Sequence, residues 1–240
     1  MKKEKHQRFH IRNLNQLRAQ IEKMGLNMPI DEDILILGSP LRISDKPAPN
    51  RFATQPMEGF DAKADGTPDE LTFRRYIRYA KGGFGLIWME AVAVMNEARS
   101  NPGQLFIHKE NVKVFQEMVK AIRKAAIDIY GRDLVIIVQL THSGRYSIPH
   151  GFHEPIIAHH SPILDPQYNI PEDYPLVSDD YLDRLQDTYI SAAKLVAEAG
   201  FDGVDIKSCH RYLVSELHAS FTREGKYGGS FENRTRLLRE

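Results

Sequence analysis

Three apolar runs in this chain end in groups that bind polar ligands or move protons. Residues 84–89 (FGLIWM) run into Glu90, residues 134–140 (LVIIVQL) carry Gln139 and are followed by His142, and residues 203–207 (GVDIK) end on Lys207 with His210 and Tyr212 just beyond. Together these side chains supply hydrogen-bond donors, acceptors and general acid–base groups. One polar residue at a strand end carries little information, because strands must surface somewhere, and Gln139 alone reads equally well as a loop-capping amide. Three successive runs that deliver such groups at the same end point to a shared site.

The elements that must position them alternate between strand and helix. Residues 51–56 form a short strand candidate, and a helix is expected over 68–81, with Thr67 as cap, Pro68 in the first turn and Glu70 at capping-box spacing. After the 84–89 strand comes a helix over 112–126 with Val112, Phe115, Val119 and Ile122 on one stripe, then the 134–140 strand, whose near-continuous β-branched run predicts burial on both faces. A Pro- and His-rich excursion over 146–177 precedes a helix capped by Ser178 with the stripe Leu182, Leu185, Tyr189, Ala192 and Val196; Gly200 closes it. The 203–207 strand and a helix near 213–219 follow. Upstream, Asn13 caps a separate helix over 13–25 that Gly25 ends.

This order is α/β with a parallel sheet. A doubly wound nucleotide fold would carry a Gly-rich phosphate loop after its first strand, and none is present, so a (β/α)8 barrel is preferred. In such barrels polar residues at the C-terminal strand ends face the active site. A complete barrel takes ~250 residues. Here about 50 residues precede the first strand and the chain stops after the fourth, so only about the first four β/α units are expected. Residues 1–38 read as a helical arm and 39–240 as the N-terminal half of a barrel, truncated before the later strands. The phosphate-holding loops after strands seven and eight would then be missing. Open sheet edges would favour a homo-oligomer or pairing with the missing C-terminal half.

The composition excludes several classes. Lys plus Arg and Asp plus Glu are 32 each, so no net charge draws the chain to nucleic acid or an anionic membrane. No apolar run approaches the ~20 residues that span a bilayer, and the charged stretch at residues 1–8 leads into no secretory apolar segment. The single cysteine, Cys209, fits a reducing, cytoplasmic compartment and reads as a buried small residue. His150, His153, His159 and His160 match no compact zinc spacing and read as solvated loop residues, so no metal site is expected.

Five segments in order carry a family resemblance: NRFATQPME (50–58), GLIWMEAVAV (85–94), QLTHSGR (139–145), FDGVDIKSCHRYL (201–213) and YGGSFENR (227–234). The chain from about residue 40 onward resembles the Old Yellow Enzyme family of NAD(P)H:flavin oxidoreductases, which includes ene-reductases and dienoyl-CoA reductases. The resemblance implies a TIM barrel of the FMN-linked oxidoreductase type that binds FMN, takes hydride from NAD(P)H and passes it to an activated alkene. It implies that the Pro56–Met57 backbone lies against the flavin with Glu58 near its N5/O4 edge, that the Ala91 backbone approaches it, and that Gln139 binds its pyrimidine. Lys207 and His210 match the pair that grips the substrate's carbonyl or nitro oxygen, and Tyr212 matches the tyrosine that protonates the α-carbon. The aromatic and Pro content of the excursion suggests a sizeable apolar enone or enoate as the small-molecule substrate.

Three positions depart from the family pattern. Lys207 replaces a common His: it either clamps an anionic group of the substrate or reduced flavin, or pairs with a nearby carboxylate. Glu58 stands where a small residue is usual, and either disfavours an added electron on the flavin or turns away to an Arg. Arg211 replaces a common Gly and bears on the aim of Tyr212, which also reads as a packed aromatic. His142 reads as either structural or ligand-facing. Two alternatives stand beside the reductase: a non-catalytic half-barrel, and a relative with an iron–sulfur cluster, which would need a Cys-rich stretch.

Overall fold

The computed structural model describes residues 10–240, and the charged stretch at residues 1–8 lies outside them. The chain divides into one unit ending at Ile36 and a second from Leu37 to Glu240. In the first, α1 (Leu14–Lys23) is capped as expected, with Asn13 Oδ1 accepting the Gln16 N–H at 3.0 Å, and none of its residues is buried. A single turn, α2 (Leu35–Gly38), crosses the boundary.

The second unit opens on an antiparallel hairpin, β1 (Leu41–Ile43) with β2 (Lys46–Ala48), turned at Ser44 with φ 54°. Strand and helix then alternate: β3 (Ala53–Thr54), α3 (Glu70–Lys81), β4 (Leu86–Ala93), α4 (Val112–Tyr130), β5 (Val135–Thr141), α5 (Asp179–Glu198) and β6 (Gly203–Ile206). Three short helices follow: α6 (Leu213–His218), α7 (Phe231–Arg234) and α8 (Arg236–Arg239). Strands β3, β4, β5 and β6 form one parallel sheet in that order, as consecutive βαβ units require.

Burial alternates along the strands. Ile87 and Met89 of β4 and Ile136, Val138 and Leu140 of β5 are at most 1% exposed and join a core with Phe115, Met118 and Ile122 of α4 and Leu182 and Leu185 of α5. Each such fully buried side chain stabilises the fold by roughly 1.5–3 kcal/mol relative to exposure. Leu86, Trp88, Ile137 and Gly203, on the alternate positions, are only partly buried. The helix-covered face is thus sealed and the opposite face is half open; in β5 burial on both faces fails only at Ile137. The outward edges of β3 and β6 have no ladder partner among the described residues, and Val204 is 42% exposed.

Helix α3 begins later than the capping-box spacing predicts. Asp69 is its N-cap, without a side-chain bond, and the Thr67 N–H instead donates to Asp65 Oδ1 at 2.9 Å. An Asx turn has taken the residues that the spacing assigned to a cap. No helix of the described residues is long and apolar enough to cross a membrane.

Candidate active site

The half-open face of the sheet gathers the residues singled out from the sequence, and a β-bulge decides which of them reach it. Trp88 lies opposite Ile137 and Met89 opposite Val138, but Ala91, not Glu90, lies opposite Gln139. The extra residue is Glu90, so the bulge brings Ala91 abreast of Gln139. Glu90 itself, 1% exposed, leaves the group of strand-end residues expected to share the site. Its carboxylate accepts from the Gly59 N–H and the Tyr76 hydroxyl, each at 2.9 Å, with Arg75 at 3.4 Å; its own N–H donates to the Tyr76 oxygen at 2.9 Å. Burial raises its pKa, opposed by the Gly59 N–H and Arg75.

Glu90 therefore ties the loop after β3 to β4. The loop is pinned a second time where Asp61 accepts from Arg75 at 2.6 Å and from the Thr72 hydroxyl at 2.8 Å. A Cβ at Gly59 would lie 1.8 Å from the Arg75 guanidinium, so a side chain there would push that end of Arg75 aside. Removing the phenol hydroxyl with Tyr76→Phe leaves two buried Glu90 groups without their partner. It is expected to cost about 1–3 kcal/mol in a urea denaturation series.

The pinned loop carries Pro56, half-buried, Met57, 70% exposed, and Glu58. Glu58 turns to Lys207 rather than to an Arg. Its Oε1 is 2.7 Å from the Lys207 ammonium, with the two side chains 9% and 4% exposed. The Lys207 charge is thus balanced by a carboxylate of the chain itself, which is the paired arrangement of the two considered from the sequence. The Lys207 ammonium also lies 4.4 Å from the centre of the Tyr212 ring, a cation–π contact.

Lys207 follows β6 directly, and its N–H donates to the Leu140 carbonyl at 2.9 Å. His210 and Arg211 then take left-handed backbone, φ 58° and 59°. Arg211 thus keeps a conformation that glycine adopts freely, and the turn still delivers Tyr212 over Lys207. His210 is exposed, its ring 6.2 Å from that of Tyr212. Burial and the neighbouring Glu58 charge push the Tyr212 phenol up to about 12, with Ser100 and Ser143 pulling it back. Tyr146 completes the aromatic wall, 5.8 Å from Tyr212. Cys209, expected to be buried, is exposed.

Gln139, 7% exposed, donates its amide to Asp205 Oδ2 at 2.6 Å across the β5–β6 pair, where the two residues are in register. Ala91 is fully buried and its carbonyl accepts from Gln104 Nε2 at 3.1 Å. The buried Trp88 Nε1 and Thr141 Oγ1 have no hydrogen-bond partner among the described residues. Unpartnered buried donors and hydroxyls beside an amide suit the polar edge of a flavin heterocycle, which presents both donors and acceptors. Sequence reasoning passed over Ser100, Asp205 and Trp88; only the Asp205 position, two residues before Lys207 on the same strand, offered a signal.

His142 is structural. It is fully buried; its Nδ1 accepts from the Gly144 N–H at 3.0 Å, so Nε2 carries the proton and donates to the Tyr181 hydroxyl at 2.8 Å, which in turn donates to Glu97 at 2.6 Å. Burial lowers its pKa from 6.5 to about 3. Between those values the unfolded chain binds a proton that the folded one refuses, so stability falls as pH drops through that window. In urea titrations across pH 3–6.5, His142→Gln is expected to reduce the pH slope by about one proton.

The excursion is ordered by charge. Arg145, with no exposed surface, binds Asp165 and Glu216 and donates to the His159 carbonyl at 2.9 Å. Its histidines are not simply solvated: His160 Nδ1 is 2.8 Å from Asp165, His159 Nδ1 is 3.1 Å from Ser220 Oγ, and His153 Nε2 is 2.6 Å from the Arg145 carbonyl. His150 is exposed and pairs with Glu154 at 2.7 Å. No grouping of three or more potential metal ligands occurs among the described residues. A cavity of about 600 Å³ opens within the excursion, lined by Glu97, His153, Tyr168, Ile170 and Tyr174 among others; neither Gln139 nor Lys207 lines it.

A parallel sheet with this site at its strand ends defines a half of a TIM barrel. The model of the NADH:flavin oxidoreductase / NADH oxidase family matches residues 37–240, and the chain belongs to that family. It is 33% identical over 214 residues to an NADPH dehydrogenase of Bacillus pumilus, and 30% identical over 208 residues to one of Bacillus subtilis; in each case 85% of this chain and 58% of the relative are covered. The chain thus spans somewhat over half the length of these curated relatives. Among solved structures, the Old Yellow Enzyme homologue from Zymomonas mobilis superposes with a TM-score of 0.68 at 28% identity, over 84% of this chain and 57% of that one. The Old Yellow Enzyme from Pichia sp. shares the fold, with a TM-score of 0.71 at 24% identity over 85% of this chain and 54% of that one.

Proposed function

We propose that this chain provides the pyrimidine side of an FMN site and most of the substrate site of an NAD(P)H-dependent reductase of activated alkenes. The observation that carries the reading is the cluster of buried Lys207 with half-buried Glu58 and Tyr212, beside Gln139 and Ala91 on one face of the sheet. FMN, when bound, accepts hydride from NAD(P)H and donates it to the alkene. Gln139 and the Ala91 backbone would hold the flavin, with Pro56, Met57 and Glu58 along its edge. Lys207 has N–H donors left beyond its bond to Glu58, and one of them polarises the substrate carbonyl oxygen. Tyr212 gives its hydroxyl proton to the α-carbon, with His210 at the rim of the site.

The open edges of β3 and β6 support a second element of the proposal: another stretch of polypeptide, in the same chain or in a partner, closes the sheet. The cytoplasm is the proposed compartment. The test is to reduce the full-length protein anaerobically with NADPH carrying deuterium in the transferable position, then add an α,β-unsaturated ketone. Deuterium on the β-carbon of the saturated product supports the reading. Flavin that NADPH reduces but no alkene reoxidises overturns it.

A further inference from the structure

Arg211 stands between two residues of the site on backbone that disfavours its own side chain. His210 and Arg211 are consecutive left-handed residues, φ 58° and 59°, a conformation in which glycine is unstrained and a residue with a Cβ is not. Both are exposed, so no burial of apolar surface offsets the strain. Strain at a position where packing does not require the side chain points to a function for that side chain.

The Arg211 guanidinium makes no ion pair or hydrogen bond with any described residue. It lies 5.8 Å from the centre of the Tyr146 ring, which is itself 5.8 Å from the Tyr212 ring. A cation–π contact of that length places the charge on the aromatic wall and satisfies none of its N–H donors. Tyr146 is braced edge-on by Tyr168, with ring centres 5.1 Å apart at 85°, and Tyr168 lies 5.5 Å from His153, so the excursion fixes the platform under the guanidinium. The neighbouring cations are already neutralised, Lys207 by Glu58 at 2.7 Å and Arg145 by Asp165 and Glu216.

Resting on the reading of Lys207 and Tyr212 as the groups that meet the alkene, we infer that Arg211 binds a carboxylate that the substrate carries away from its reacting double bond. The substrate is then an unsaturated oxo-acid, with its carbonyl oxygen at Lys207, its apolar body along Tyr212 and Tyr146, and its acid group at the rim on Arg211. A guanidinium matches a carboxylate through two parallel N–H···O bonds, and a single unpaired cation balances a single negative charge. Because Glu58 balances Lys207, the inner end of the site suits a neutral carbonyl and the outer end suits the anion. Arg211 touches no reacting atom; it is a specificity residue.

The test uses the full-length, flavin-loaded protein and two probes, a cyclohexenone carrying a short carboxyalkyl chain and its methyl ester. Affinities are measured by calorimetry on the oxidised protein without coenzyme, so binding is read apart from turnover. The wild type is expected to bind the acid roughly tenfold more tightly than the ester, the effect of one charge-assisted contact. Arg211→Gly is expected to abolish that preference by weakening the acid alone, and to unfold at a urea midpoint no lower than that of the wild type, because glycine takes the left-handed turn without strain. Arg211→Lys keeps part of the preference, since it keeps the charge without the fork. Equal affinities for acid and ester in the wild type, a preference that survives Arg211→Gly, or a variant that loses both probes equally overturns the inference. So does a variant that binds the acid normally but loses a preference for NADPH over NADH, for the guanidinium would then serve the coenzyme phosphate. An acid bound through Arg211 but never reduced leaves the carboxylate site standing and overturns the reductase reading instead.

Discussion

Arg145→Met is expected to destabilise the fold by about 3–5 kcal/mol. The guanidinium has no exposed surface and is the shared counter-ion of Asp165 and Glu216, the latter 3% exposed. Methionine fills much of the volume but leaves both carboxylates without that cation. Glu216 also accepts the Ala158 N–H at 2.9 Å, so the loss passes directly into the excursion backbone. The measurement is the urea midpoint of variant against wild type at neutral pH. Pairing Arg145→Met with Glu216→Gln is expected to recover part of the loss, because one uncompensated charge is then gone. A loss below 1 kcal/mol would show that water reaches the network.

Lys207→Met has the largest expected effect on turnover. The substitution removes the donor proposed for the substrate oxygen, and kcat/KM is expected to fall by about 10²–10³. It also strands the Glu58 carboxylate, 9% exposed, at a cost of about 3–5 kcal/mol. The two effects separate in a double variant: Glu58→Gln added to Lys207→Met removes the stranded charge, so stability returns while activity does not. Full recovery of both would mean that Lys207 serves only to neutralise Glu58.

The contrast between these two sites shows how much the sequence discloses. Helices α4 and α5 and strand β5 were legible because burial on one face imposes a period that local residue types record, as in the stripe Leu182, Leu185, Tyr189, Ala192 and Val196. The strand-end residues were legible for the same reason, since each follows an apolar run. Partnerships were not. Glu58 and Lys207 are 149 residues apart, and nothing local says that one carboxylate and one ammonium will meet.

Glu90 was misplaced because a bulge adds one residue without altering composition, and a shift by one position reverses the face that follows. The β1–β2 hairpin was missed because strands of three residues are too short to show alternation. Thr67 was assigned a cap that Asp65 pre-empts by making its own turn. Cys209 was placed inside because cysteine usually is, whereas here it follows β6 on an exposed turn.

The central claim is that the residues around Gln139 and Lys207 build a flavin site, and its most direct test is the visible absorption spectrum of the purified full-length protein, mixed with FMN and then desalted. The account predicts a flavin band that stays with the protein and is weakened in Gln139→Leu. A colourless wild type, or a band that Gln139→Leu leaves unchanged in intensity and shape, would contradict it.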